Sequence, residues 1–439
     1  MIDRYRVIIL HVGLGKTGTT SIQGNCYRYR ELLLQQGIVY PSFRFRHKNI
    51  VNHSDPITAF IASNPGKYGV AFRQQVIDDP MIFHNSINPQ MNELLAKPQA
   101  DTLVLSGESV AECDDIDMQT LLQRLRDHTE TLRVIAYIRS PQSSLESILQ
   151  QRVKSGLQVD LEPLVSTVRE RYERLRRNFT GLLETVNFHE AVKHPYGLVA
   201  HFMELIGVSK SELQGLAFNT SNERVTLEAY KIMEAINGCY PRREAKANNI
   251  NRTPHDMHAL MNFPGQPFQL ENYADSALFQ AALREGAWLE SELGFRFPKV
   301  SRREAEPMWQ ADSLVSMESA IRGLENENLQ AAAAEFLARE AESLQSSRAE
   351  TAGILRHIAW SLQNIKNNPV ISLLENLGAD YFKFAALQVE NSSTELALNL
   401  MSMASELRPG ADFIGSRIDK YKEELGLNAN SGVAGDTEE

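Results

Sequence analysis

Short apolar runs recur through the first three hundred positions, and each breaks off into glycine or small polar residues. They are "VIILHV" (Val7–Val12), "GIVYP" (Gly37–Pro41), "TLVLSGES" (Thr102–Ser109) and "RVIAYIRSP" (Arg133–Pro141). Between them lie segments whose apolar positions follow helical spacing, as in "SIQGNCYRYRELLLQQ" (Ser21–Gln36). Strands that are apolar throughout and alternate with helices indicate a parallel sheet covered on both faces. The pattern therefore predicts an α/β fold, a three-layer sandwich around a central parallel sheet, over residues 1–300. In such folds ligands bind beyond the carboxyl ends of the strands.

Past Pro298 the pattern changes. No proline occurs from Ala311 to Asn368, and alanine, glutamate, leucine and glutamine dominate. This predicts a long helix, coiled coil in part, although the apolar heptads lapse at Asn328 and Glu335. After Pro369 two or three amphipathic helices follow, and "ELALNLMSMASELRPGADFIGSRIDKYKEEL" has the outline of half a tetratricopeptide unit. The expected organisation is an α/β domain over 1–300, an all-α region over 301–428 and a disordered tail over 429–439. The helical region is expected to serve self-association or contacts with another protein.

Composition narrows the function classes. The 439 residues are 43% hydrophobic and 23% charged, ordinary for a soluble globular chain. The net charge is −10, and residues 301–439 carry all of it, with 12 Lys+Arg against 22 Asp+Glu. Neither part is basic, which argues against nucleic acid as a partner. The three cysteines (Cys26, Cys113 and Cys239) are widely spaced and odd in number, so no disulfide framework or zinc cluster is indicated. A reducing, cytoplasmic location is the expectation. No apolar run reaches the ~18 residues that suggest a membrane span.

The chemistry concentrates in "VIILHVGLGKTGTTSIQ" (Val7–Gln23). A strand that ends in a glycine turn and enters a helix aims free backbone N–H groups at one point, and the helix dipole adds positive character there. Gly13, Gly15 and Gly18 allow close approach, Lys16 adds a full charge, and Thr19, Thr20 and Ser21 add hydroxyls. The arrangement suits a tetrahedral anion; the simpler alternative is a turn whose hydroxyls cap the helix. The triphosphate loop G-x-x-x-x-G-K-[ST] does not fit, because Lys16 precedes Gly18. A second segment, "RVIAYIRSPQSSLESILQQ", has Arg139 at a strand end and Ser147 eight residues later. Ser140 can cap a helix that has Pro141 at its first position, with Ser143 and Ser147 on one face and Ser144 close by.

"GKTGTTSIQ" resembles the 5′-phosphosulfate loop of sulfotransferases that use 3′-phosphoadenylyl sulfate. Arg139 and Ser147 are similar, in order and spacing, to that superfamily's 3′-phosphate pair. "HPYGLVAHFMELIGVS" resembles a segment of its bacterial and carbohydrate-type members. The resemblance covers residues 5–298 and implies the P-loop-like sulfotransferase fold. It further implies donor binding by Gly15, Lys16, Thr17, Gly18, Thr19, Thr20, Arg139 and Ser147, with Lys16 at the leaving oxygen and no metal. The acceptor would be a hydroxyl on a carbohydrate or other bulky metabolite, selected by the segments Phe43–Pro98 and Asn237–Gln269. Glu108 is the first choice for general base, His47 and His53 the second, and Lys154 could meet an acidic acceptor. An arginine/lysine–glycine nucleotide motif found in cytosolic members is missing, which leaves the adenine contacts unassigned. Two other readings stand beside this one: a P-loop small-molecule kinase, and a non-catalytic nucleotide-domain scaffold with a partner-binding helical tail.

Overall fold

A computed structural model describes residues 3–64, 67–68, 80–159, 167–218, 224–244, 250, 252–253, 255–269, 276–298, 308–309, 311–344, 348–364, 371–408 and 410–427. Its strands in chain order are β1 Tyr5–Gly13, β2 Ile38–Val39, β3 Phe43–Phe45, β4 Lys48–Ile50, β5 Thr102–Ser106, β6 Thr129–Ile138 and β7 Leu183–Asn187. Five of them form one sheet in the order β2-β5-β1-β6-β7, every neighbouring pair parallel. β3 and β4 form a separate antiparallel hairpin.

The continuous apolar character of the strands follows from burial on both sides. Ile8, Leu10 and Val12 of β1 share one core with Leu103, Leu105, Val134, Ala136 and Ile138. Ile9 faces the opposite way, into a core with Val104, Ile135 and Tyr137. The first core is closed by the helices Ser54–Ile61, Asp115–Arg126 and Thr167–Asn178, through residues such as Ile57, Leu121 and Leu175. The second is closed by Thr19–Arg28 and Gly197–Leu205, through Ile22, Cys26, Phe202 and Met203. The result is helix, sheet, helix: an α/β sandwich with a central parallel sheet, as the pattern predicts. Each fully buried Leu or Ile contributes about 1.5–3 kcal/mol by leaving water.

Strand order fixes where a ligand can sit. From β1 the chain moves to β2 and β5 on one side, then crosses to β6 and β7 on the other. The loops that leave β5, β1 and β6 therefore open next to one another at a switch point on the carboxyl edge. Register brings the strand ends level, with His11 paired to Ser106 and Gly13 to Tyr137.

The chain forms two compact units, Met1–Ala359 and Trp360–Glu439. The first includes helices past residue 300, and Glu327–Leu344 packs on Leu227–Cys239. The long helix predicted over 311–368 is instead three: Ala311–Arg322, Glu327–Leu344 and Ala349–Asn364. Gly323 starts the first break, and the Asn326 side chain accepts from the Asn328 amide at 2.9 Å, a local turn that competes with continued helix. The Gln330 side chain then donates to the Leu324 carbonyl at 2.7 Å and closes the corner.

The second unit has the helices Ile371–Val389, Thr394–Leu407 and Asp412–Glu424 around Ala397, Met401, Ala404, Ile414 and Tyr421. Ser393 caps the middle helix, and Arg417 and Tyr421 both bond Glu390, at 2.7 and 2.6 Å. The tail expected to be disordered, 429–439, lies outside the described residues. Among the described residues no helix is long and apolar enough to cross a membrane.

Candidate active site

The turn after β1 has left-handed backbone at three of its five positions: Gly15 (φ 91°), Lys16 (φ 58°) and Gly18 (φ 75°). Gly18 is required by its left-handed conformation, and Gly13, whose φ is not positive, is held to glycine by contact. A Cβ on Gly13 would stand 2.3 Å from Thr19 Oγ1, and one on Gly18 would stand 2.3 Å from Leu198 Cδ2. The helix Thr19–Arg28 starts at once, with no side chain capping it. Thr17 and Thr19 are buried with their hydroxyl oxygens 3.5 Å apart, whereas Thr20 is exposed. A helix start without a side-chain cap keeps its first amides for another partner, which favours the anion reading over the capping one.

Lys16 is half-buried in this turn. Burial pulls its pKa down, Glu108 raises it, and the charges of Arg139 and Lys154 lower it further. The loops from all three central strands therefore meet here. Arg139, immediately after β6, reaches across and donates from Nη1 to the Lys16 carbonyl at 2.7 Å. Its Nε donates to Ser143 Oγ at 2.8 Å, and the guanidinium lies over the Phe188 ring, 5.0 Å from the centroid. Burial lowers its pKa to about 10, helped by the Arg224 charge and opposed by Glu146. Ser140 caps the following helix by accepting from the Ser143 amide, and Pro141 opens it, as predicted. The serine that meets Arg139 is Ser143; Ser147, one turn further along, is half-buried and does not bond it.

Glu108 follows β5 and opens a 3-10 turn, Glu108–Glu112. Its backbone amide and that of Ser109 donate to Ser54 Oγ at 2.8 and 3.3 Å, which fixes the turn without using the carboxylate. Burial raises the Glu108 pKa, Lys16 and Arg171 pull it back down, and Glu112 raises it. A carboxyl whose pKa burial raises thus stands close enough for the Lys16 charge to act on it.

The two histidine candidates fare differently. His53 is fully buried, its Nδ1 accepting from the Ser106 amide at 3.0 Å and its Nε2 donating to the Pro41 carbonyl at 2.8 Å. Burial holds its pKa at about 4, with the Pro41 carbonyl pulling upward. Both ring nitrogens are occupied, so His53 acts as a strut that ties the end of β5 to Pro41 and has no nitrogen left to take an acceptor proton. His47 is exposed in the turn between β3 and β4. Lys154 ends the helix Pro141–Lys154, half-buried and close enough for its charge to act on Lys16.

Of the segments expected to shape an acceptor site, Phe43–Pro98 contains the β3–β4 hairpin and the helices Ser54–Ile61 and Pro80–Ala96; residues 65–66 and 69–79 lie outside the described residues. In Asn237–Gln269, Arg252 is buried against Asp256 at 2.6 Å and bonds Asn237 Oδ1 at 3.0 Å. Asn237 in turn bonds the Val153 carbonyl at 2.9 Å and so supports the end of the helix that carries Ser143. Among the described residues no group of three His, Cys, Asp or Glu side chains could hold a metal ion, and all three cysteines are free.

Sequence reasoning missed Arg171, Phe188 and Arg224, and left Ser143 without a role. Arg171 is one of several arginines in "TVRERYERLRRN", and nothing in that helix distinguishes it. Its position next to the buried stripe Val168, Tyr172 and Leu175 is the only local signal, and it gains meaning once the helix is docked.

No protein-family model matches the chain, and no curated protein matches it. A solved structure, a sulfotransferase from Alicyclobacillus acidocaldarius, is similar over 57% of this chain and 98% of its own, at 16% identity and a TM-score of 0.30. A likeness of that depth says nothing of what this chain binds or transforms.

Proposed function

We propose that this chain is a sulfotransferase that moves a sulfuryl group from 3′-phosphoadenylyl sulfate to a hydroxyl acceptor. One observation carries the reading. Two cations, Lys16 and Arg139, are tied together by the 2.7 Å bond from Arg139 to the Lys16 carbonyl, with the Glu108 carboxyl beside Lys16. Two anion grips with a carboxylate next to one of them suit a donor that carries phosphate at both ends and a sulfuryl group to be handed over. Arg139 bonds Ser143 at 2.8 Å, whereas the resemblance assigns Ser147, one turn further along, to the same 3′-phosphate as Arg139.

The donor supplies an activated sulfuryl group on a phosphate leaving group. In the transfer, a bond forms between sulfur and the acceptor oxygen while the bond from sulfur to the bridging oxygen breaks, and the bisphosphate leaves with that electron pair. Lys16 stabilises the charge that grows on the bridging oxygen, and the amides of Gly18, Thr19 and Thr20 hold the other oxygens. Glu108 takes the acceptor proton, and a pKa raised by burial makes it a better base than an exposed carboxylate. Arg139 holds the second phosphate, and the loop geometry brings the reactants into line. The acceptor is proposed to be a carbohydrate or another bulky metabolite, and the helical region 301–428 a site of self-association or protein contact.

Calorimetry with adenosine 3′,5′-bisphosphate tests the proposal. Wild-type protein should bind it. Arg139→Ala should bind about 10–100-fold more weakly, the loss expected for a charge-assisted contact, and Arg139→Lys should fall between. Tight magnesium–ATP binding with no response to the bisphosphate would sink the reading and favour a kinase.

A further inference from the structure

Arg171 has no part in the scheme above, yet it stands at the loop. It comes from the helix Thr167–Asn178, which packs on the Glu108–Glu112 turn. Its Nη1 lies 3.4 Å from the point where a Cβ on Gly15 would stand, and Glu108 Oε1 lies 4.0 Å from that same point. Its Nη2 donates to Glu112 Oε1 at 2.8 Å, and three-quarters of the side chain is covered. Arg171 is thus fastened to one end of the 3-10 turn while its other nitrogen faces the loop beside the carboxylate at the opposite end.

The charged groups around Glu108 are few. From the loop after β1 comes Lys16, from the Thr167–Asn178 helix comes Arg171, and from its own turn comes Glu112. The Ser54–Ile61 helix contributes the Ser54 hydroxyl, which takes up the amides of Glu108 and Ser109. Without a ligand, Lys16 is the stronger influence keeping Glu108 ionised. Once an anionic donor engages Lys16, that charge is offset and further negative charge arrives. Both changes favour the protonated form of a half-buried carboxyl, which cannot accept a proton. A cation anchored apart from the donor opposes this.

We propose that Arg171 is a positioning residue for the transfer: fastened by Glu112, it keeps a fixed positive charge beside Glu108, so that Glu108 stands as a carboxylate when Lys16 is taken up by the donor. The inference rests on the proposed function for the donor's identity, and on the Arg171–Gly15–Glu108 geometry for the rest.

The test follows the Glu108 carboxyl directly in the full chain and needs no acceptor. Protein with 13C-labelled glutamate is titrated by NMR, the Glu108 signal being assigned by its loss in Glu108→Gln. Wild type, Arg171→Gln, Arg171→Met and Arg171→Lys are compared with and without adenosine 3′,5′-bisphosphate. Arg171→Gln should move the Glu108 midpoint up by about one pH unit, a tenfold rise in proton affinity, and by more with the bisphosphate bound. Arg171→Lys should restore most of the difference, and Arg171→Met provides a second neutral variant should the glutamine protein fold poorly. A midpoint that stays at the wild-type value in a folded neutral variant overturns the proposal and leaves Arg171 a helix-to-turn ion pair. The same spectra report the bisphosphate separately: if Glu108 responds to Arg171 but the bisphosphate does not bind, the pairing is upheld and the donor assignment is what falls.

Discussion

His53 makes an acid-stability prediction that can be worked through in numbers. It is fully buried, and its two ring nitrogens bond the Ser106 amide and the Pro41 carbonyl in a pattern that only the neutral ring can satisfy. Its folded pKa is about 4, against the ordinary 6.5 of the ring in the unfolded chain. The unfolded state therefore binds more protons between these values, and stability falls as pH falls through that window. At pH 7.5 the effect is negligible; it grows to about 2 kcal/mol at pH 5 and about 3 kcal/mol at pH 4. His53→Gln keeps a donor for the Pro41 carbonyl and removes the titration. Urea unfolding at pH 7.5 and 5, in a Trp360→Phe background, would follow Trp288 and Trp309 in the first unit. The variant should be less stable at pH 7.5 but should lose about 2 kcal/mol less than the parent on going to pH 5. The comparison between the two proteins removes what other groups contribute, including His11, whose pKa burial lowers to about 3. Equal losses would refute the claim that His53 is a neutral strut and would return it to the candidates for proton transfer.

The loop and its support give two further tests. Gly13→Ala puts a methyl group 2.3 Å from Thr19 Oγ1 and should cost about 1–3 kcal/mol of strain at the helix start; adenosine 3′,5′-bisphosphate binding should weaken at least tenfold by calorimetry, and undiminished affinity would show that the turn does not cradle the anion. Arg252→Met leaves Asp256 buried without its partner and should cost about 3–5 kcal/mol in urea unfolding; adding Asp256→Leu should recover much of the loss, and a double variant no more stable than the single one would count against a buried pair.

The central sheet was legible because burial on both faces removes polar positions from β1, β5 and β6, and continuous apolar runs are hard to mistake. The glycine turn after β1 was legible for a related reason: a lysine among glycines and threonines between a buried strand and a helix marks a tight connection and serves no packing purpose. Ser140 and Pro141 likewise gave the helix start to the residue. What escaped the sequence depends on contacts between distant segments. His53 is read as a strut only through two main-chain partners, Pro41 and Ser106, and main-chain groups leave no trace in side-chain pattern. Ser143 and Ser147 are equivalent by spacing, and only the reach of Arg139 distinguishes them. Arg171 is hidden among like residues until Gly15 and Glu108 are seen next to it. The break at Gly323 and Asn326 was readable in principle, since both favour turns, but the alanine-rich residues on either side outweighed them.

The loop after β1 also ties its own backbone strain to the neighbouring strand. Lys16 is a non-glycine residue with φ 58°, a conformation that costs about 1–3 kcal/mol. Something must hold it there, and the bond from Arg139 to the Lys16 carbonyl is well placed to do so. Arg139 is itself half-buried and pays desolvation, visible in its lowered pKa. In this arrangement Arg139 helps to keep Lys16 in its strained, left-handed turn. The two cations are not independent of each other, because the strain at Lys16 is sustained by a residue that follows the neighbouring strand. Strand order makes that coupling possible: β1 and β6 are adjacent and level at Gly13 and Tyr137, so one side chain can span both loops. A sheet in which β1 and β6 were not neighbours could carry the same loop sequence, but Arg139 would not reach the Lys16 carbonyl, and the turn would relax.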